Sequence, residues 1–121
     1  SENEKEAARW FRLAAEQGLA GAEFKVGMGY DHGKGVEKNE KEAARWYRLA
    51  ADQGLAEAQF KVGLRYDQGQ GVAKNEKEAA KWYGLAAEQG LAEAQFKIGL
   101  RYDQGRGVEK NEKEAARWYR L

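Results

Sequence analysis

Cysteine, proline and threonine are absent from this chain, and serine and histidine occur once each, as Ser1 and His32. With no thiol there is no disulfide, and cysteine usage says nothing about redox compartment. Apart from the tyrosines, Ser1 carries the only side-chain hydroxyl, so the inventory of nucleophiles for covalent catalysis is nearly empty. A lone histidine with no cysteine beside it cannot complete a zinc set. No proline interrupts the 121 residues, and 21 alanines favour helix. Charge of one sign is lacking too: 21 Lys and Arg face 20 Asp and Glu, and residues 37–72 hold six of each sign. That balance offers no counterion-release drive toward nucleic acid. No apolar run approaches the ~20 residues of a membrane span, and residues 1–10 contain no apolar segment of the signal-peptide kind. The composition therefore leads us to expect no enzyme, cofactor, metal, nucleic-acid partner or membrane anchor.

What the chain does have is repetition. Trp10, Trp46, Trp82 and Trp118 recur every 36 residues, as do Gly18, Gly54 and Gly90, and Tyr30, Tyr66 and Tyr102. Units 37–72 and 73–108 differ at six positions, units 1–36 and 37–72 at ten, and residues 109–121 repeat 37–49 unchanged. We read one domain, 1–121, made of units 1–36, 37–72 and 73–108 plus a partial unit 109–121. A period of this length is the mark of a repeat architecture in which stacked units share a core.

Each unit reads as two helices. The first, helix B, is clearest over residues 39–53, with Asn39 as N-cap and Glu42 three residues on; Asn3/Glu6, Asn75/Glu78 and Asn111/Glu114 repeat the pair. Ala43, Trp46, Tyr47, Ala50 and Ala51 fall on one helical face, so each helix-B Trp is expected in the core. Gly54 suits the left-handed residue that ends a helix, and Leu55 the hydrophobic contact after it. Helix A follows over residues 56–68, with Ala58, Val62 and Tyr66 on its core face. A glycine within a helix costs about 1 kcal/mol against alanine. Its recurrence at Gly27, Gly63 and Gly99 points to close approach between helices. Gly84, which replaces Arg12, Arg48 and Arg120, and Gly29, which replaces Arg65, are further mid-helix glycines that a sequence chosen for helicity would avoid.

Three sharper features yield to plainer readings. His32 stands where other units have Gln68 and Gln104, a solvated position. Gly33-Lys34-Gly35 lacks both the spacing and the hydroxyl of a phosphate loop, so its glycines end a helix and turn the chain. Arg45-Trp46-Tyr47-Arg48 interleaves cations with aromatics, yet Trp46 and Tyr47 share the apolar face of Ala43 and Ala50 and belong inside. Pairs such as Glu57–Lys61 and Arg48–Asp52 have the i,i+4 spacing of a solvated helix face.

The run AEAQFKVGLRYDQGQGV, with EKNEKEAARWYRLAADQG beside it, resembles the Sel-one-like repeat (SLR) family, relatives of the tetratricopeptide repeats. The match rests on Ala56, Ala58, Gln59, Gly63, Tyr66, Gly69, Gly71 and Val72, together with Ala43, Trp46, Tyr47, Ala50, Ala51 and Gly54, and it recurs along the whole chain. The resemblance implies an all-α fold: a right-handed α/α superhelical solenoid of 36-residue helix-turn-helix repeats, helix A concave and helix B convex. It also implies adaptor or scaffold work on a protein or peptide partner, often in bacterial envelope and host-interaction systems.

Relatives in the tetratricopeptide group bind through the concave stripe of helix A. Its counterpart here is Glu57, Phe60, Leu64, Asp67 and Gln68, at helical spacing off the core face. Phe24, Met28 and Asp31 occupy it in unit one, and Glu93, Phe96, Leu100, Asp103 and Gln104 in unit three. Stacking would align Phe24, Phe60 and Phe96 into an apolar ladder suited to an extended peptide or amphipathic helix, unless these rings pack between neighbouring helices. The alternative is a structural module: helix B at both ends of the chain lacks a capping partner, so head-to-tail stacking of copies through uncapped ends is expected.

Overall fold

The structure, a computed structural model, describes residues 1–120. Among them all regular structure is helical: α1 (Glu2–Glu16), α2 (Ala20–His32), α3 (Glu40–Asp52), α4 (Ala56–Gln68), α5 (Glu76–Glu88), α6 (Ala92–Gln104) and α7 (Glu112–Tyr119). Helices α1, α3, α5 and α7 are the B helices, and α2, α4 and α6 the A helices. Each packs on the helix before it and the helix after it. The result is an all-α repeat solenoid, with short connections between neighbours.

Local chemistry sets the helix limits. Asn39 Oδ1 accepts the Glu42 N–H at 3.1 Å, and Asn75 and Asn111 cap α5 and α7 the same way at 3.0 Å. The Asn39 N–H in turn donates to the Tyr30 carbonyl of the preceding helix A at 2.9 Å, as Asn75 does to Tyr66 and Asn111 to Tyr102. Asn3 has no such carbonyl ahead of it, and α1 departs from the expected start. It begins two residues early, with Ser1 as N-cap and a complete capping box to Glu4.

Two glycines per unit are needed for close approach. A Cβ on Gly63 would lie 2.6 Å from Cδ1 of Tyr83, so the bare glycine forms the slot that takes the ring. Gly27 does the same for Tyr47, and Gly99 for Tyr119. Gly71, at φ 76°, lies over the Glu40 carbonyl, where any Cβ would overlap it; the loop after helix A thereby closes on its own helix B.

The core is a continuous series of clusters, each drawn from several successive helices. One joins Phe24 of α2 to Ala43, Tyr47 and Ala50 of α3, Ala58 and Val62 of α4 and Trp82 of α5. The next joins Phe60 to Tyr83, Ala94, Ile98 and Trp118. Trp46, Trp82 and Trp118 are buried as expected, but Trp10 is not. Ala15 of α1 and Val26 of α2 enclose Trp46, and no earlier helix pair covers Trp10 among the described residues.

Candidate functional site

The stripe expected on helix A divides into three kinds of residue. Phe24 and Phe60 leave it, each only 9% exposed. Their rings tilt against Tyr47 and Tyr83 at centroid distances of 5.5 and 5.6 Å, because helix A is enclosed by the B helices on both sides and by the next helix A. They are core residues, and no open phenylalanine ladder forms. Phe96, by contrast, is 58% exposed, with its ring beside Tyr119 at a centroid distance of 6.3 Å.

Asp31 and Asp67 also differ from the expectation, because their hydrogen-bonding capacity is used inside the protein. Asp31 of α2 pairs with Arg65 of α4 and accepts the Tyr47 hydroxyl of α3 at 2.8 Å. One unit later Asp67 pairs with Arg101 at 2.6 Å and accepts from Tyr83 at 2.9 Å. Each guanidinium also lies over its tyrosine ring, at 5.4 and 5.5 Å. Three consecutive helices are thus tied by one carboxylate. Burial pushes both Asp carboxyls up, but the bonds from arginine and tyrosine outweigh it and hold them below the usual range. Burial, reinforced by the adjacent carboxylates, pushes the Tyr47 and Tyr83 hydroxyls well up. Asp103 is exposed.

The two latches are not identical. Arg65 Nη1 donates to Gln70 at 3.4 Å. Arg106 replaces that glutamine in unit three and turns to Glu76 at 2.9 Å, leaving Arg101 Nη1 buried without a hydrogen-bond partner. A second tie crosses the same seams: Gln53 donates to Glu23, and Gln89 to Gln59 at 2.9 Å. Burial raises the Glu23 carboxyl, and the Gln53 bond opposes that shift.

The rest of the stripe stays accessible. Met28, Leu64 and Leu100 are half-buried, while Glu57, Gln68, Glu93 and Gln104 are exposed. Met28 and Leu64 touch the edge of the core. A second row went unnoticed in the sequence: Leu13, Leu49 and Leu85 on the B helices are exposed once per unit. The cations beside them are engaged with the tryptophans, Arg45 lying over Trp46 at 4.9 Å and Lys81 over Trp82 at 5.3 Å. The row's signal was available at the 36-residue spacing of these leucines, one turn from Trp on the far side of the Ala-rich face. His32 is exposed, 4.0 Å from Asp31. Among the described residues no group of three or more His, Cys, Asp or Glu is placed to hold a metal, and no helix is long and apolar enough to cross a membrane.

Stacked helix pairs, carboxylate ties across each seam and polar side chains facing out define an α-helical repeat scaffold. The model of the Sel1 repeat matches residues 1–19, 20–55, 56–91 and 92–121. The chain belongs to the Sel1 repeat family, whose members generally act as protein-interaction scaffolds. A Sel1 repeat protein from Oxalobacter formigenes is similar at 47% identity and TM-score 0.90, over 95% of this chain and 47% of that one. So is c5321, a protective antigen present in uropathogenic Escherichia coli strains and displaying an SLR fold, at 39% identity and TM-score 0.91, over 96% and 25%. This chain therefore spans about half and a quarter of those two proteins. Helicobacter pylori cysteine rich protein B, at 20% identity and TM-score 0.75 over 98% of this chain and 84% of that one, shares the fold. Comparison with curated proteins gives no match.

Proposed function

We propose that the chain is a non-catalytic scaffold that binds a protein or peptide along the accessible part of the helix-A stripe. Met28, Leu64 and Leu100 supply a half-exposed apolar row. Glu57, Glu93, Gln68 and Gln104 supply polar groups in register with it. The observation that carries the reading is that the units spend Asp31, Arg65, Tyr47 and their counterparts on joining each other, while this row recurs unspent on one face. A rigid surface of that kind pays little ordering entropy on binding. Copies stacked head to tail are the less favoured reading.

The exposed Leu13, Leu49 and Leu85 favour one competing face, the outer side of the B helices. Two double variants separate the faces once a partner is captured: Leu64→Ser with Leu100→Ser, and Leu49→Ser with Leu85→Ser. Loss of that partner only with the first pair, helicity being intact in both, is the expected result. Loss only with the second moves the site to helix B, and loss with neither removes both.

A further inference from the structure

One arginine of helix B has three partners, each on a different helix. Arg48 of α3 donates to the Tyr66 hydroxyl of α4 at 3.2 Å and lies over the Trp82 ring of α5 at 5.0 Å. It also pairs at 3.2 Å with Asp52, one turn on along α3. Arg12 of α1 repeats the arrangement one unit earlier, with Tyr30 at 2.7 Å, Trp46 at 5.4 Å and Glu16 at 3.8 Å. In unit three the position is Gly84. The groups that receive the guanidinium elsewhere are all kept: Tyr102 on α6, Trp118 on α7 and Glu88 one turn on along α5.

A cleft of about 380 Å³ lies at Gly84, against about 250 Å³ for its counterpart beside Arg48. A Cβ on Gly84 would meet nothing within 4 Å. Arginine occupies the hydroxyls of Tyr30 and Tyr66, but no such bond reaches Tyr102 among the described residues. Trp46 and Trp82 each lie under two cations, Arg12 with Arg45 and Arg48 with Lys81. Among the described residues Trp118 has one, Arg117 of its own helix, at 4.6 Å. Arg117 is hydrogen-bonded to Glu114 at 3.1 Å and comes no nearer to Glu88 than 3.9 Å, so it does not take the missing side chain's place. Nor is the cleft open for want of a neighbouring helix. The unit-two counterpart has α2 before it and α6 after it, and Arg48 there is still 43% exposed. The two clefts differ in charge as well. Lys41, Arg45 and Arg65 line the first beside Arg48, with no carboxylate among the described residues. Lys77, Lys81 and Arg117 line the second together with two carboxylates, Glu88 and Glu114.

We propose that the cleft at Gly84 receives an arginine side chain of a partner polypeptide, whose guanidinium takes the place that Arg12 and Arg48 fill in the other units. Its planar fork would donate to the Tyr102 hydroxyl and to Glu88 and lie against Trp118. Its methylene stem would run along Leu85 and Val108 at the cleft wall. The repeat itself demonstrates the fit twice, with the same three kinds of partner. Loss of one side chain has left a receptor of that side chain's shape and charge. The cleft lies apart from the helix-A stripe, since Met28, Leu64 and Leu100 do not line it.

The probes are n-propylguanidinium, which is the side chain that Gly84 lacks, and n-butylammonium, a cation of equal charge without the fork. The tryptophan indole N–H signals of the full chain, followed by nuclear magnetic resonance, report the units separately. We expect n-propylguanidinium to move the Trp118 signal saturably, at least about fivefold more tightly than n-butylammonium. The signals of Trp46 and Trp82, already under Arg12 and Arg48, should stay in place. Gly84→Arg fills the cleft from within the chain and should abolish the response, whereas Gly84→Ala should retain it. Tyr102→Phe removes one hydroxyl and should weaken binding about threefold or more. The capped tripeptide acetyl-Gly-Arg-Gly-amide should bind as the small cation does, and its lysine counterpart should not. No saturable shift at Trp118, an equal shift at Trp82, no preference for guanidinium over ammonium, or an unchanged response in Gly84→Arg would overturn the proposal. So would binding of n-propylguanidinium without binding of the arginine peptide, because the occupant would then not be a polypeptide. Leu64→Ser with Leu100→Ser should leave the response unchanged, which keeps this test separate from that of the helix-A stripe.

Discussion

Residues 3–10 and 39–46 have the same sequence, NEKEAARW, and meet opposite fates. Trp46 is 5% exposed and Trp10 is 62% exposed; Ala43 is fully buried and Ala7 is open. Nothing within the eight residues accounts for this. In a solenoid the burial of a side chain is conferred by the pair of helices stacked before it, here through Ala15 and Val26. Stability is then a sum of unit and seam contributions. The sharpest way to break the comparison is truncation of each tryptophan. Trp46→Ala should cost about 3–5 kcal/mol, the range for a large aromatic removed from a core. Trp10→Ala should cost within about 0.5 kcal/mol, as surface changes do. Urea unfolding followed by circular dichroism measures both, and similar midpoints would refute the seam account.

The same pair of units differs in how the seam is closed electrostatically. Arg65 is buried and its partner Asp31 keeps some access to water, so Arg65→Ala should cost about 3 kcal/mol, the lower end for breaking a buried pair. The pH dependence gives an independent reading. Asp31 and Asp67 have folded-state pKa values below the unfolded one, so their contribution is complete above about pH 4, the unfolded value, and is lost as pH falls through the folded values. The parent chain should therefore lose stability below about pH 4, and Arg65→Ala should flatten that loss because Asp31 no longer binds protons more weakly when folded. An acid limb as steep in the variant as in the parent would mean that the Asp31 latch contributes nothing.

Much of this architecture is legible from sequence, because period, caps and glycine punctuation are local signals. Residues 39–53 contain α3 with both its caps, residues 56–68 coincide with α4, and the recurrence of Gly63 correctly implied close approach. The failures share one cause. A helical wheel assigns faces to a single helix, whereas helix A here has neighbours on several sides, so Phe24 and Phe60 are buried although they lie off the face of Val62 and Tyr66. Asp67 read as an open hydrogen-bonding group because its partners come from later in the chain, Tyr83 and Arg101. Their offsets recur from Asp31 to Tyr47 and Arg65, and the joint loss of tyrosine and arginine in unit one, as Phe11 and Gly29, was the one trace of the latch in the sequence. Asn3 failed as a cap for a related reason, since the Tyr carbonyl that fixes the other asparagines belongs to a preceding helix A.

Two glycines inside helices sharpen the contrast between seam and surface, because the same substitution should have opposite signs. Gly63 and Gly84 are both mid-helix, and neither has positive φ. Alanine at either position therefore gains about 0.5–1 kcal/mol of helix propensity. At Gly63 the new methyl would stand 2.6 Å from Tyr83, a ring that is fully buried and cannot swing away without surrendering its bond to Asp67. Overpacking of that kind costs about 1–3 kcal/mol. The clash exceeds the gain, and Gly63→Ala should be net destabilising by about 1–2 kcal/mol. At Gly84 nothing lies within 4 Å of the added atom, so the propensity gain stands alone and Gly84→Ala should stabilise by about 0.5–1 kcal/mol. Thermal unfolding of the two variants beside the parent decides the matter. Stabilisation by both would show that the Tyr83 slot has room to give, and that helix A and the following helix B are not held apart by the width of a single ring.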